Sequence, residues 1–125
     1  MLAVFKFLLF ASIFAFLMYS CSEREDSPEV KAQKAEEIRI AKQKGFHCLS
    51  QWDGTHRRLI ADFKPTLRDP ASFEHIETKI TPVNNGQHTL FMKYRAKNAF
   101  GGYVINDLVA KIDHDTCRAT VIANN

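Results

Sequence analysis

Glu74, His75 and Glu77 bring two carboxylates and an imidazole within four positions, the residue types that general acid–base catalysis or a bound cation would use. The surrounding alternation argues against it. In an extended segment successive side chains point to opposite sides, so Glu74 faces away from His75 and Glu77. His47 and Cys48 are adjacent and His56 follows eight residues on, but no Cys-x-x-Cys or His-x-x-x-His spacing joins them into a zinc set. There is no Ser-His-Asp order, no phosphate-cradling glycine loop and no carboxylate pair with a visible cause for a shifted pKa. Trp52 reads as a core or cap residue. The sequence therefore predicts a protein that is not an enzyme, with no metal and no cofactor.

A second set of residues suits binding rather than catalysis. From His88 to Lys97 the chain alternates, with Leu90, Met92, Tyr94 and Ala96 on one side and Phe91, Lys93, Arg95 and Lys97 on the other. A period of two is the mark of a strand with one buried face. Asn98-Ala99-Phe100-Gly101-Gly102 follows, where the glycine pair permits a sharp turn or close backbone approach. Phe100 either tucks into the core or stays exposed beside the basic stripe as an aromatic anchor. Phe91, Lys93, Arg95, Lys97 and Phe100 are the candidate partner-binding residues.

The elements that position this strand can be read on either side of it. Residues 29–44 are good helix formers without a breaker; Ser27 can cap them, Pro28 suits the first position and Gly45 suits the stop. Their few apolar residues, Val30, Ile38, Ile40 and Ala41, predict a solvated spacer helix. A second helix runs through Thr55–Lys64, capped by Ser50 or Asp53, with Leu59, Ile60, Phe63 and Leu67 on one face and Pro65 near its end. Asp69-Pro70-Ala71-Ser72 has the composition of a short helical turn. Period two then returns from Glu74 to Ile80. Between this strand and the next, a three-residue loop Asn84-Asn85-Gly86 sets Ile80 opposite Leu90, Thr78 opposite Met92 and Ile76 opposite Tyr94. A two-residue turn would instead mix the faces. Tyr103–Asp113 and Cys117–Ile122 supply two further strands, the last with Cys117, Ala119 and Val121 inward. The expected fold is α+β: the spacer helix, then a helix packed on one face of a four-stranded antiparallel meander, with residues 46–125 as the domain.

The first twenty residues contain one charge, Lys6, then an apolar run from Phe7 to Tyr19. The run ends at Ser20-Cys21, and Ser22-Glu23-Arg24-Glu25-Asp26 is abruptly polar. A short positive region before about 7–15 apolar residues is the form of a secretory signal. This one resembles the signal of bacterial lipoproteins, in which the cysteine after the apolar run is lipidated. Met18 and Tyr19 stand where Leu and a small residue are usual. The resemblance implies a signal over 1–20, a lipid on Cys21, and a tether plus spacer helix over 21–45. An uncleaved membrane anchor or an ordinary cleaved signal are the alternatives, and each places the rest of the chain outside the cytosol. Three cysteines is an odd count for an exported chain. With Cys21 lipidated, Cys48 and Cys117 remain to form a disulfide in an oxidising compartment; two buried thiols are the other reading. The formal charge is +3, of which Lys6 supplies one, so the remainder carries +2. That is too weak for a nucleic-acid partner.

The Asp69–His75 segment, the Tyr94–Gly102 segment and Cys48-Leu49-Ser50-Gln51-Trp52-Asp53-Gly54 together resemble a family of small bacterial and phage exported proteins of unknown role. That family pairs a D-P-x-S-F-E-H motif with a K-N-x-F-G-G motif. The resemblance covers about residues 46–123 and implies no activity. The order of signal, helices and meander is also similar in layout to small outer-membrane assembly lipoproteins. The expected protein is a membrane-tethered envelope lipoprotein facing the periplasm, anchored through Cys21 and binding another protein. The alternative is an exported inhibitor or phage superinfection factor acting on an envelope target.

Overall fold

The computed structural model describes residues 27–125. Helix α1 spans Pro28–Gln43 and buries none of its side chains. Ser27 begins it, its carbonyl accepting from the Lys31 amide at 3.1 Å and its hydroxyl from the Val30 amide at 3.4 Å. The lipidation proposed at Cys21, and the signal and anchor readings, fall outside the described residues. Among those residues no helix is long and apolar enough to cross a membrane.

After a single 3-10 turn at Phe46–Cys48, helix α2 spans Arg57–Phe63. Further 3-10 turns at Lys64–Thr66 and Pro70–Ser72 lead into the sheet. Strands β1 (Glu74–Ile80), β2 (Gln87–Lys97), β3 (Tyr103–Asp113) and β4 (Ala119–Asn124) lie in chain order, all antiparallel. The α+β meander expected from the alternation is the fold.

The buried face of β2 is the one the period of two requires. Leu90, Met92, Tyr94 and Ala96 are buried against Leu108, Ala110 and Ile112 of β3 and against Leu59 and Phe63 of α2. Tyr94 anchors the middle. Its ring meets Phe63 edge-on at 5.2 Å, stacks on Phe73 at 5.5 Å, and its hydroxyl donates to Asn124 Oδ1 at 2.8 Å. That hydrogen bond satisfies the phenol inside an apolar core and fastens β4 to β2.

The β1–β2 connection corrects the expected loop while keeping the expected register. The turn has two residues, Asn85 and Gly86, both at positive φ, with Asn84 and Gln87 exchanging backbone hydrogen bonds. Asn-Gly is the preferred pair for such a turn, because both central residues need left-handed backbone. Yet Ile80 lies opposite Leu90 and Thr78 opposite Met92. The two facts are compatible because one extra residue is taken up between Thr81 and Asn84. Pro82 has no N–H to give a ladder, and the Val83 amide donates to Gln43 O at 2.8 Å instead. A second irregularity leaves Ile76 unpaired, so His75, rather than Ile76, faces Tyr94.

Other details also depart from the sequence reading. His56, not Ser50 or Asp53, caps α2. Asp53 turns back on Thr55, accepting from its hydroxyl at 2.8 Å and its amide at 3.1 Å. Those bonds hold the Asp53 carboxyl at about 2. Trp52, expected in the core or at a cap, is 91% exposed. Cys117 precedes β4 in a left-handed turn conformation and is not part of the strand. In the Asp69–Ser72 turn, Ser72 is the working residue. Its hydroxyl donates to Asp69 O at 2.7 Å and accepts from the Lys97 amide at 2.8 Å, tying the turn to the end of β2.

Gly45 ends the α1 segment at φ +84°, and a Cβ there would lie 2.8 Å from Ile80 Cδ1 and 2.9 Å from His88 Nδ1. Both the backbone conformation and the space demand glycine. Gly45→Ala is expected to destabilise the protein by roughly 1–3 kcal/mol, read as a lowered midpoint in urea denaturation. An unchanged midpoint would show that the segment carrying Gly45 is free to move off the sheet.

Candidate functional site

Two regions of the compact unit Lys34–Asn125 collect the residues with chemical potential. The first is the outer face of the sheet. Phe91, Lys93, Arg95 and Lys97 of β2 pair with Val109, Asp107, Ile105 and Tyr103 of β3. Phe91, Ile105 and Tyr103 are exposed, Ile105 to 62%. The structure thus brings four of the five sequence candidates onto one surface. The stripe is less basic than it reads in sequence. Arg95 pairs with Glu74 at 2.6 Å and Lys93 approaches Asp107 at 3.9 Å, while Glu77 on the neighbouring strand pairs with Lys79 at 3.3 Å. Tyr103 lies close to two of these cations: Arg95 is 5.0 Å and Lys97 5.7 Å from its ring centroid. Tyr103 and Ile105 were not among the candidates. Their signal was present in the partly apolar second face of β3, which an uncovered strand surface leaves in water.

Phe100 stands at the β2–β3 hairpin tip and is 96% exposed. Of the two placements weighed for this ring, solvent and not the core is the one observed. The tip is ordered by Asn98, whose Oδ1 accepts from the Phe100 amide at 2.9 Å and the Gly102 amide at 3.0 Å, and whose carbonyl accepts from Gly101. An aromatic ring is therefore held out in solvent on a hydrogen-bonded loop. The Glu74–His75–Glu77 group does not assemble. His75 bonds Thr78 Oγ1 at 2.8 Å, while Glu74 and Glu77 are taken by Arg95 and Lys79.

The second region is at the opposite end of β2, where Cys48 and Cys117 form a disulfide with Cα atoms 5.3 Å apart. It closes a span of 69 residues, worth about 4 kcal/mol in the chain-entropy description. Beside it His47, from the 3-10 turn, His88, from the start of β2, and His114, from the β3–β4 turn, meet ring to ring. Their centroids are 5.8, 5.1 and 5.1 Å apart. Sequence reasoning missed this group, because its members are 41 and 26 positions apart and no local spacing marks them. Only the alternation hinted at His88, which shares the inward side with Leu90.

His56 completes this end. Its Nδ1 accepts the Leu59 amide at 3.0 Å as the α2 cap, and its Nε2 donates to Cys117 O at 2.9 Å. Both roles require the neutral ring with the proton on Nε2. Burial pushes the His56 pKa below its ordinary value, assisted by Arg58 and opposed by the Cys117 carbonyl and Asp62.

Compared with known proteins, the chain matches no family model, no curated protein and no solved structure.

The neutral His56 has a pH consequence. With the folded pKa below the unfolded value near 6.5, the unfolded chain binds the proton more tightly. The His56 contribution is therefore fully present above about 6.5 and declines as pH falls below it. Protonation at Nδ1 would also remove the helix cap, worth about 1 kcal/mol. Thermal denaturation between pH 7.5 and 5 should show Tm falling with acid. His56→Asn, which can cap without titrating, should flatten that slope; an identical slope would assign the acid sensitivity to other groups.

Proposed function

We propose that this protein is an exported module of the bacterial cell envelope, tethered to the membrane by a lipid on Cys21, and that it binds a protein partner rather than catalysing a reaction. The observation that carries the binding role is the outer sheet face. Phe91, Tyr103 and Ile105 are exposed there among Lys93, Arg95 and Lys97. Aromatic and arginine residues dominate the energetics of protein interfaces, and an exposed apolar surface rimmed by charge is their usual form. Because Arg95 and Lys93 sit beside Glu74 and Asp107, the face suits another protein better than a polyanion. Export is supported by the apolar segment before Cys21 and by a disulfide, which persists in oxidising compartments.

A second reading is favoured by one feature. The braced hairpin carrying Phe100 is the kind of protruding, rigid loop that an exported inhibitor inserts into a target. The two readings predict different contact residues. A photo-crosslinking residue placed at Ile105 in cells should capture the partner if the face binds, and one at Phe100 if the loop does. Trp52, equally exposed but on another segment, serves as the control position. Capture at Trp52 as efficient as at Ile105 and Phe100 would remove the proposal.

The tether has its own test. Intact-mass analysis of the membrane fraction should show loss of residues 1–20 and gain of a diacylglyceryl group on Cys21. Cys21→Ser should release the protein from that fraction. A mature mass starting at Met1 would instead support a membrane-spanning anchor.

A further inference from the structure

The three histidines beside the disulfide bring their ring nitrogens close together. His47 Nε2 lies 2.6 Å from the His114 carbonyl oxygen, so that nitrogen carries a hydrogen and donates it. His88 Nδ1 lies 2.8 Å from Thr81 O and must likewise donate. In the neutral rings this leaves lone pairs on His47 Nδ1 and His88 Nε2. His88 Nε2 accepts from His114 Nδ1–H at 2.9 Å, so a cation taken up between them would displace that hydrogen to His114 Nε2. His47 Nδ1 is buried and has no hydrogen-bond partner. One ring nitrogen from each of the three residues lies within 4.8 Å of the others.

We propose that His47, His88 and His114 form a binding site for a divalent transition-metal cation of the zinc or copper type. Imidazoles anchored by donating their second N–H to a backbone carbonyl are the usual outer-shell arrangement of metal-binding histidines, and His47 and His88 both have it. Tetrahedral ligands at a zinc–nitrogen distance of about 2.0 Å are separated by about 3.3 Å. The 2.9 Å between His88 Nε2 and His114 Nδ1, and the 4.8 Å within which one nitrogen of each ring lies from the others, bracket that value. A purely structural role accounts for His88, whose two nitrogens both have partners. It gives no reason for a buried, unpartnered nitrogen on His47 beside two further imidazoles, since such a group is costly to desolvate.

The donor set selects the cation class. Three neutral nitrogens without a carboxylate suit zinc or copper rather than calcium or magnesium, which take oxygen ligands. Three protein ligands leave a fourth position for water or another molecule. The sulfurs of Cys48 and Cys117 also lie near His47, but in the disulfide they are not thiolates and do not compete. Gly45 makes room for the site, because any side chain there would press on His88 Nδ1.

The test uses the full-length chain with its disulfide intact and any free thiol alkylated, titrated with Zn2+ against a chromophoric chelator. One Zn2+ should bind per chain, and the imidazole NMR signals of His47, His88 and His114 should shift while those of His56 and His75 stay in place. His47→Gln and His114→Gln, both at partly exposed positions, should each weaken binding by more than about tenfold with the metal-free Tm little changed. His88→Gln is not relied on, because His88 is fully buried in the core. Absence of saturable Zn2+ and Cu2+ binding would overturn the proposal, as would unchanged affinity in both glutamine variants. Binding that emerges only after disulfide reduction would also overturn it, assigning the metal to the cysteines.

Discussion

An eleven-residue strand with one apolar face must be covered, and among the described residues a seven-residue helix is the α-helix that packs on it. Much of the remaining architecture answers that shortage. Leu59 and Phe63 of α2 reach the middle of the sheet, and the 3-10 turns around it bring Leu49, Leu67 and Phe73 in against the same core. Short turns can do this because they position side chains without needing a long amphipathic stripe. Tyr94 spans the junction, packing on Phe63 and Phe73 while holding Asn124.

Where the apolar cover ends, polar groups take over, and His88 and His56 both find partners. His88 is fully buried at the start of β2, with Thr81 O and His114 as partners. His56 links the helix cap to the Cys117 carbonyl. The disulfide joins the Phe46–Cys48 turn to the same β3–β4 turn covalently, so the turn carrying His47 and Cys48 cannot separate from the turn carrying His114 and Cys117 without breaking several interactions together. Rigidity of this kind is what a histidine cluster needs if it is to hold its rings in one arrangement.

The other face of the sheet is under no such demand. Charges on β2 find partners on β1 and β3, so the face is soluble, yet Phe91, Tyr103 and Ile105 stay in water. Cation–π contacts from Arg95 and Lys97 cover part of Tyr103. The sheet therefore has one dry face and one face whose aromatic residues stay in water. The proposed metal site lies at the His88 end of β2 and the Phe100 loop at the far end, so the two could serve separate purposes.

The local sequence determined the elements. Alternation in 88–97 specified which side chains of β2 are inside, because a strand has no other way to bury Leu90, Met92, Tyr94 and Ala96 together. Ser27, Pro28 and Gly45 delimited the first helix through backbone preferences that act within a few residues. The Ile80–Leu90 register was legible from burial alone, though the loop length was not. A bulge at Pro82–Val83 can absorb one residue, and nothing local announces that the Val83 amide will turn to Gln43. Tertiary structure alone decided the rest. His56 displaced Ser50 and Asp53 as the cap because Cys117 O, distant in sequence, orients its ring. His47, His88 and His114 became neighbours because the disulfide and the β3–β4 turn carry three separate segments to one place. Short-range spacing cannot encode such a meeting; only the closed chain brings those three rings together.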